Sequence, residues 1–277
     1  MARHIFGSIL VLGLFVFTFD GAAAEEPPAL TFGEVARWTS KVLGEERRLN
    51  VLLPPGYHGG TERYPVLYLL DGAAEEDYFH AAGLVDFLAT YGVIPPTIVV
   101  GISNVDRKRD FTPPTANEEE KKALPTSGGA AKFITFLEGE LVPYVEAHYR
   151  TAGARTLVGQ SLGGLLAAQV LLEKPSLFDQ YVIISPSLWW DGQSLVRGAA
   201  EKIRQNRAAG RAIYLSVAEE PDDMKATAEK LASLLAADRW QDQRFCFQHL
   251  PTETHATSHH LSLYRALEFF YRGRCSS

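Results

Sequence analysis

From residue 30 onward, apolar positions fall into two kinds of segment that alternate along the chain. Pro65–Leu70, Thr97–Ile102, Arg155–Gly159, Tyr181–Ser185 and Ile213–Val217 are short apolar runs with little polar alternation. That is the pattern of strands buried on both faces. Between them, Glu75–Tyr91, Gly129–Tyr149, Leu162–Glu173, Gln193–Ala208 and Asp222–Ala237 carry apolar residues at helical spacing. Phe133, Phe136, Leu137, Leu141, Tyr144 and Val145 are the clearest set. Arg244–Leu250 and Ser258–Arg272 continue as a last strand and a last helix. Leu30–Lys41 and Arg47–Leu53 are strand-like, and the second ends at the Pro54-Pro55-Gly56 turn. Such alternation predicts right-handed crossovers and a mostly parallel sheet covered by helices on both faces, an α/β architecture. Ser103–Gly129 breaks the pattern with Arg107, Lys108, Arg109, Asp110 and Pro113-Pro114. A long connection after a strand's carboxyl edge, where wound sheets place their ligands, predicts a flap over a site.

The start of the chain has a different logic. Arg3 and His4 precede an apolar run from Ile5 to Phe19, and Ala22-Ala23-Ala24 then offers small residues for cleavage. Residues 1–24 are expected to be a secretory signal peptide and 25–277 a single domain, periplasmic or secreted. The apolar run is about 15 residues, against roughly 20 for a bilayer span, so no membrane attachment is expected once it is removed. With 46% hydrophobic and 22% charged residues the chain is not of the disordered class. A formal charge of −6 argues against a nucleic-acid partner, which needs a basic face. Two cysteines exclude a disulfide-dense scaffold and a multi-cysteine metal module. Export leaves two readings of Cys246 equal: pairing with Cys275, or burial as a small hydrophobe.

Candidate chemistry centres on Gly159-Gln160-Ser161-Leu162-Gly163-Gly164. A Gly-x-Ser-x-Gly alone is weak; here it follows an apolar strand and opens an apolar helix, as a nucleophile elbow requires. Gly159 and Gly163 keep the tight turn free of bulk, and the Leu162 N–H lies at a helix N-terminus. A serine hydroxyl needs a base. His58, His80 and His148 precede the elbow, the wrong chain order, while His249, His259 and His260 fall on the last strand and helix. His255, in the loop between them, is free to swing over Ser161 and is the expected base. His255, His259 and His260 also have metal-like spacing, but no carboxylate-rich cluster or distant third ligand accompanies them, so neither a metal nor another cofactor is expected. The orienting acid is sought after Ile213–Val217, among Glu219, Glu220, Asp222 and Asp223; the aspartates compete as helix N-caps, which favours Glu220 narrowly. Ala73, in the Asp71-Gly72-Ala73 turn, is the expected second oxyanion donor beside Leu162, with Gly72 letting the backbone approach the substrate.

Taken together, Tyr64–Gly72, Arg107–Pro113, Gly128–Phe133, Gly159–Gly164, Ser185–Asp191 and Glu253–His255 resemble the putative-esterase family of α/β-hydrolases. The resemblance spans most of residues 30–272 and is nearest the branch of periplasmic trilactone siderophore esterases of the enterobactin type. It implies an α/β-hydrolase fold, Ser161 as nucleophile, His255 as base and a small-molecule ester substrate, with a ferric siderophore as its leading candidate. The family commonly shows Gly-x-x-Glu where this chain has Ala218-Glu219-Glu220-Pro221, which leaves the acid open, down to a Ser-His dyad. By the same resemblance Arg107 and Arg109 face an anionic catecholate complex, against the alternative of a solvated charge run. Trp189 and Trp190 either wall an aromatic acyl pocket or pack in the core. A feruloyl or acetyl polysaccharide esterase, an acyltransferase and a non-catalytic binding protein remain the rival functions.

Overall fold

The structure is a computed structural model that describes residues 30–207, 210–238 and 240–275; the expected signal peptide lies outside the described residues. Its elements run β1 (Glu34–Ser40), β2 (Glu45–Leu52), β3 (Tyr64–Leu69), α1 (Tyr78–Thr90), β4 (Ile98–Ile102), α2 (Arg107–Phe111) and α3 (Glu118–Ala123). There follow α4 (Ala130–Phe136), α5 (Val142–His148), β5 (Thr151–Gln160), α6 (Leu162–Glu173), β6 (Gln180–Ile184) and α7 (Trp190–Gln205). β7 (Ala212–Ala218), α8 (Asp222–Ala237), β8 (Arg244–Leu250) and α9 (Ser258–Arg272) complete the chain. Among the described residues the strands form one eight-stranded sheet in the order β1-β2-β4-β3-β5-β6-β7-β8. β1 and β2 are antiparallel to their neighbours, and every pair from β4 to β8 is parallel. This is the α/β-hydrolase arrangement.

The apolar runs are continuous because both faces of the sheet are covered. Side chains alternate between faces along a strand. Tyr68, Leu157, Tyr181, Ile183 and Leu215 accordingly point to a core closed by Phe133, Leu166, Val170 and Leu231. Leu67, Leu69, Val158, Val182 and Tyr214 point to the opposite core, under Ala81, Val85, Leu263 and Leu267 of α1 and α9. Helix α6 is buried at every residue from Leu162 to Leu172, as a helix apolar all round must be. Its N-terminus is therefore held rigidly against the end of β5.

Two segments differ from the sequence expectation. The single helix expected over Gly129–Tyr149 is α4 and α5 joined by a π turn over Leu137–Leu141, where the Val142 N–H bonds the Leu137 carbonyl. Pro143 is the reason: it has no N–H for the helical ladder, and the wider turn absorbs the missing bond. The flap is also more ordered than its composition implied. Asp106 caps α2 by accepting from the Arg109 N–H, and Asn117 caps α3 by accepting from Glu119 and Glu120.

A buried ion cluster anchors the flap to the sheet. Fully buried Arg47 donates to Glu45 (2.9 Å), Asp110 (3.0 Å) and the Ser103 carbonyl (3.0 Å), with its guanidinium over Phe133 and Phe136. Burial works to raise the Glu45 carboxyl, but its bonds to Arg109 and Arg47 outweigh that and hold it below its ordinary value.

Cys246 and Cys275 are joined in a disulfide, Cα atoms 5.7 Å apart, which ties the end of α9 to the edge strand β8. The two cysteines are 29 residues apart, so closure of this loop limits the unfolded chain by about 3–4 kcal/mol. Reduction, or Cys275→Ser, is expected to lower stability by about that much in denaturant melts. An unchanged midpoint under reducing conditions would show the tie to be idle.

Candidate active site

Ser161 sits where β5 turns into α6, at φ 59°, ψ −120°. A non-glycine residue there is strained, and the surroundings hold it: its N–H donates to the Ile184 carbonyl, and its own carbonyl accepts from Ser187, both at 3.0 Å. The turn is so close that a Cβ on Gly159 would lie 2.3 Å from the Gly163 carbonyl oxygen. Gly163 is less constrained, since its Cβ would approach nothing nearer than an Asp71 carboxylate oxygen at 3.3 Å, with Leu70 and Phe111 at ordinary contact distance. The Ser161 hydroxyl lies 3.4 Å from that of Ser187 and opens into two cavities.

The larger cavity, about 380 Å³, also carries His255, Arg107, Gln160, Asp71, Glu76 and Asp77 on its walls. Ser161 and His255, separated along the chain, therefore face one space. His255 lies in the loop between β8 and α9, and its Nδ1 is 2.8 Å from Oε1 of Glu220, whose side chain is only 4% exposed. The neighbouring acids are engaged elsewhere: exposed Glu219 meets Nε2 of His249 at 3.1 Å, and Asp223 accepts from the Met224 N–H at the start of α8. The Glu219 N–H also donates to the Glu253 carbonyl at 3.0 Å, tying the acid's loop to the histidine's.

The Ala73 N–H donates to Oε2 of Glu76 at 3.1 Å, and Oε1 of Glu76 accepts from Asn104 at 2.9 Å. Leu162 stands at the N-terminus of α6 beside Ser161. Gly72 also packs against the neighbouring strand. A Cβ there would lie 2.3 Å from the Gly101 Cα, so its lack of a side chain serves close packing on β4, and it is Asp71 that takes a positive φ of 55°.

The two flap arginines do not form one cationic surface. Arg107 reaches the site and lines both cavities, with Nε and Nη2 donating to the Asp71 carboxylate at 2.6 and 2.8 Å. Burial acts against its charge, but the Asp71 pair, with Glu76 and Asp77 nearby, leaves the guanidinium above its ordinary value. Arg109 turns away to the buried cluster, bonding Asp110 at 2.7 Å and Glu45 at 2.7 and 3.0 Å. Arg109→Ala is accordingly expected to lower stability by about 1–2 kcal/mol, moderated by its partial exposure. Its KM should stay within about twofold of wild type. A raised KM with an unchanged melting temperature would instead place Arg109 in substrate recognition.

The second cavity, about 240 Å³, is mainly apolar and is walled by Leu124, Leu162, Trp189 and Trp190 beside Ser161. Trp189 is half-buried, whereas Trp190 is fully buried and donates its indole N–H to the Pro113 carbonyl at 2.9 Å. The flap is thus pinned over this cavity. Asp191 reinforces it, donating its N–H to Glu120 and accepting from the Ala116 N–H. Asp191, Gly192 and Gln193 form a left-handed turn at the head of α7, so its regular right-handed helix starts only after Gln193, where the sequence placed it.

Gln160 was not singled out by the sequence. Its side-chain amide donates to the His255 carbonyl and, at 3.4 Å, to Ser258 Oγ, which itself donates to that carbonyl at 3.1 Å. The residue before the serine therefore holds the histidine loop. Its position inside the Gly-x-Ser-x-Gly motif was the only available signal.

A serine on a strand-to-helix elbow, faced by a histidine backed by a buried glutamate at the carboxyl edge of this sheet, defines an α/β-hydrolase. Residues 40–267 match the family described as "Putative esterase". The chain belongs to that family and is an ester-hydrolysing enzyme. It is 31% identical to the ferri-bacillibactin esterase BesA of Bacillus subtilis over 226 residues, 74% of this chain and 78% of that protein. It is 33% identical over 156 residues to a siderophore triacetylfusarinine C esterase of Aspergillus fumigatus, a match covering 50% of each. A solved IroE-like serine hydrolase from Shewanella oneidensis has a TM-score of 0.80 at 32% identity, covering 87% of this chain and 80% of its own.

Proposed function

We propose that the chain is an exported serine ester hydrolase acting on siderophore esters through Ser161, His255 and Glu220. The observation that carries this reading is the bond between Glu220 and His255 Nδ1 at the wall of the cavity into which Ser161 opens. With Nδ1 committed to the carboxylate, Nε2 is the nitrogen left to act as base. It takes the serine proton as Oγ attacks the ester carbonyl, and the glutamate stabilises the imidazolium that forms. Charge developing on the carbonyl oxygen is met by the Leu162 N–H and by the Ala73 N–H, where the oxyanion replaces the Glu76 carboxylate. The imidazolium then protonates the departing alkoxide. Water, activated by the same nitrogen, releases the acid and restores Ser161.

The substrate class draws on the siderophore esterases among the relatives and on the aromatic wall beside the nucleophile, which suits an aromatic acyl group. Arg107 supplies the one guanidinium at both cavities. Export rests on the leader in the sequence and on the Cys246–Cys275 bond, which fits an oxidising compartment. Among the described residues no helix is long and apolar enough to cross a membrane.

The test compares kcat/KM on a ferric trilactone siderophore, methyl ferulate and p-nitrophenyl acetate, with products resolved by chromatography. The siderophore is expected to be preferred by at least about tenfold, or ~1.4 kcal/mol of transition-state discrimination. Preference for the ferulate by that margin overturns the substrate class. A new ester formed in the presence of an added alcohol, in place of free acid, overturns hydrolysis in favour of transfer.

A further inference from the structure

One cluster of side chains is left over once the ester chemistry is assigned. Asp77 immediately precedes α1 and His80 lies in its first turn, a spacing of three that puts both on one face. His259 and His260 open α9, which packs beside α1 in the same core. We propose that Asp77, His80 and His259 form a binding site for a divalent first-row transition ion of the zinc class, set at the wall of the ester cavity.

The ligand atoms of these three side chains all lie within 4.8 Å of one another. Two zinc–ligand bonds of about 2.1 Å span at most about 4.2 Å, so small side-chain rotations bring all three onto one ion. Two imidazoles and a carboxylate are a borderline N/O donor set, suited to zinc and its neighbours and poorly suited to magnesium or calcium, which take oxygen ligands. Three protein ligands leave a fourth position for water.

His259 supplies the independent observation. Its side chain is 4% exposed; Nδ1 faces Oδ2 of Asp77 at 3.2 Å, and Nε2 has no hydrogen-bond partner among the described residues. A buried ring nitrogen without a partner is unfavourable, and a metal ion shared with Asp77 satisfies the ring. His260 completes the arrangement from outside. Its Nδ1 is 2.8 Å from Nε2 of His80, with the rings stacked at 5.0 Å, and such an outer hydrogen bond orients a metal-bound imidazole. Asp77 also lines the cavity that holds Ser161 and His255. A dication there offsets a wall on which Asp71, Glu76 and Asp77 face the single guanidinium of Arg107.

The sequence expectation of no metal looked only at His255, His259 and His260. The missing ligands, Asp77 and His80, come from the start of α1, far earlier in the sequence.

The test titrates untagged, chelator-stripped mature protein with Zn²⁺ by calorimetry, alongside Mg²⁺, and follows thermal unfolding with and without Zn²⁺. One Zn²⁺ per chain with a dissociation constant below about 1 μM is expected, together with a raised melting temperature and no response to Mg²⁺. His80→Ala, at an exposed position, should weaken binding at least about 100-fold. Asp77→Asn, which keeps the side chain's size, should do the same and decides the matter should the histidine variant fold poorly. Binding weaker than about 100 μM in the wild type, or binding that both variants retain, overturns the site and leaves the ester chemistry untouched.

Discussion

Ser161→Ala is expected to lower kcat for a short p-nitrophenyl ester by about 10⁵–10⁶-fold while leaving the melting temperature near wild type. Among the described residues the hydroxyl's hydrogen-bond partner is Ser187, at a long 3.4 Å, and it opens into cavity space, so its removal costs little. Alanine occupies the strained elbow no less comfortably than serine. What disappears is the covalent route, leaving only direct attack of water on an ester carbonyl polarised by backbone donors. Steady-state kinetics together with stoichiometric labelling by a serine-reactive fluorophosphonate check this: one label per wild-type chain, none on the variant. Turnover above about one per cent of wild type would mean that another nucleophile carries the reaction.

Glu220→Gln is the second. The amide keeps the length and burial of the side chain but loses the charge, and it offers His255 either a donor or an acceptor. By analogy with the aspartate-to-asparagine change in a Ser-His-Asp triad, kcat should fall about 10³–10⁴-fold. Glu219→Gln is the paired control. That carboxylate is exposed and sits on His249, so a change of no more than about twofold is expected. If Glu220→Gln loses less than about fivefold, a Ser-His dyad suffices and the buried glutamate is a structural pair. Equal losses in both variants would point to a shared distortion of the β7–α8 loop.

These two experiments also mark how far the site was legible before any coordinates. The elbow is a local object. Its strand, its strained serine and the glycine two residues before it are neighbours in the chain, and the steric demand at Gly159 follows from a turn of that tightness whatever surrounds it. The central strands were legible for a related reason: a strand buried on both faces has no position at which a polar residue is tolerated, so Thr97–Ile102 and Ile213–Val217 stand out from their flanks. His255 was reachable by elimination, because the loop after the last strand is where this topology delivers a side chain to the serine.

The choice between Glu219 and Glu220 was of another kind. Adjacent residues point in different directions, and which one meets the imidazole depends on how the β7–α8 and β8–α9 loops lie against each other. The same reasoning separates Arg107 from Arg109. Read as a loop, the two arginines form one charged patch. Folded as helix α2, residues two apart diverge by about 200° around the axis, so Arg107 enters the site while Arg109 joins Arg47, Glu45 and Asp110.

By itself the amino-acid sequence determined the layered sheet, the elbow and the meeting of Ser161 and His255 at one cavity, because these follow from periodicity, turn sterics and the order of elements. Only the tertiary structure decided which glutamate meets His255, the closing of Cys246 on Cys275, the hold of Gln160 on the histidine loop and the meeting of Asp77 and His80 with His259. Each of those is a contact between groups far apart in the chain, and its distance is set by how helices and loops pack across the sheet.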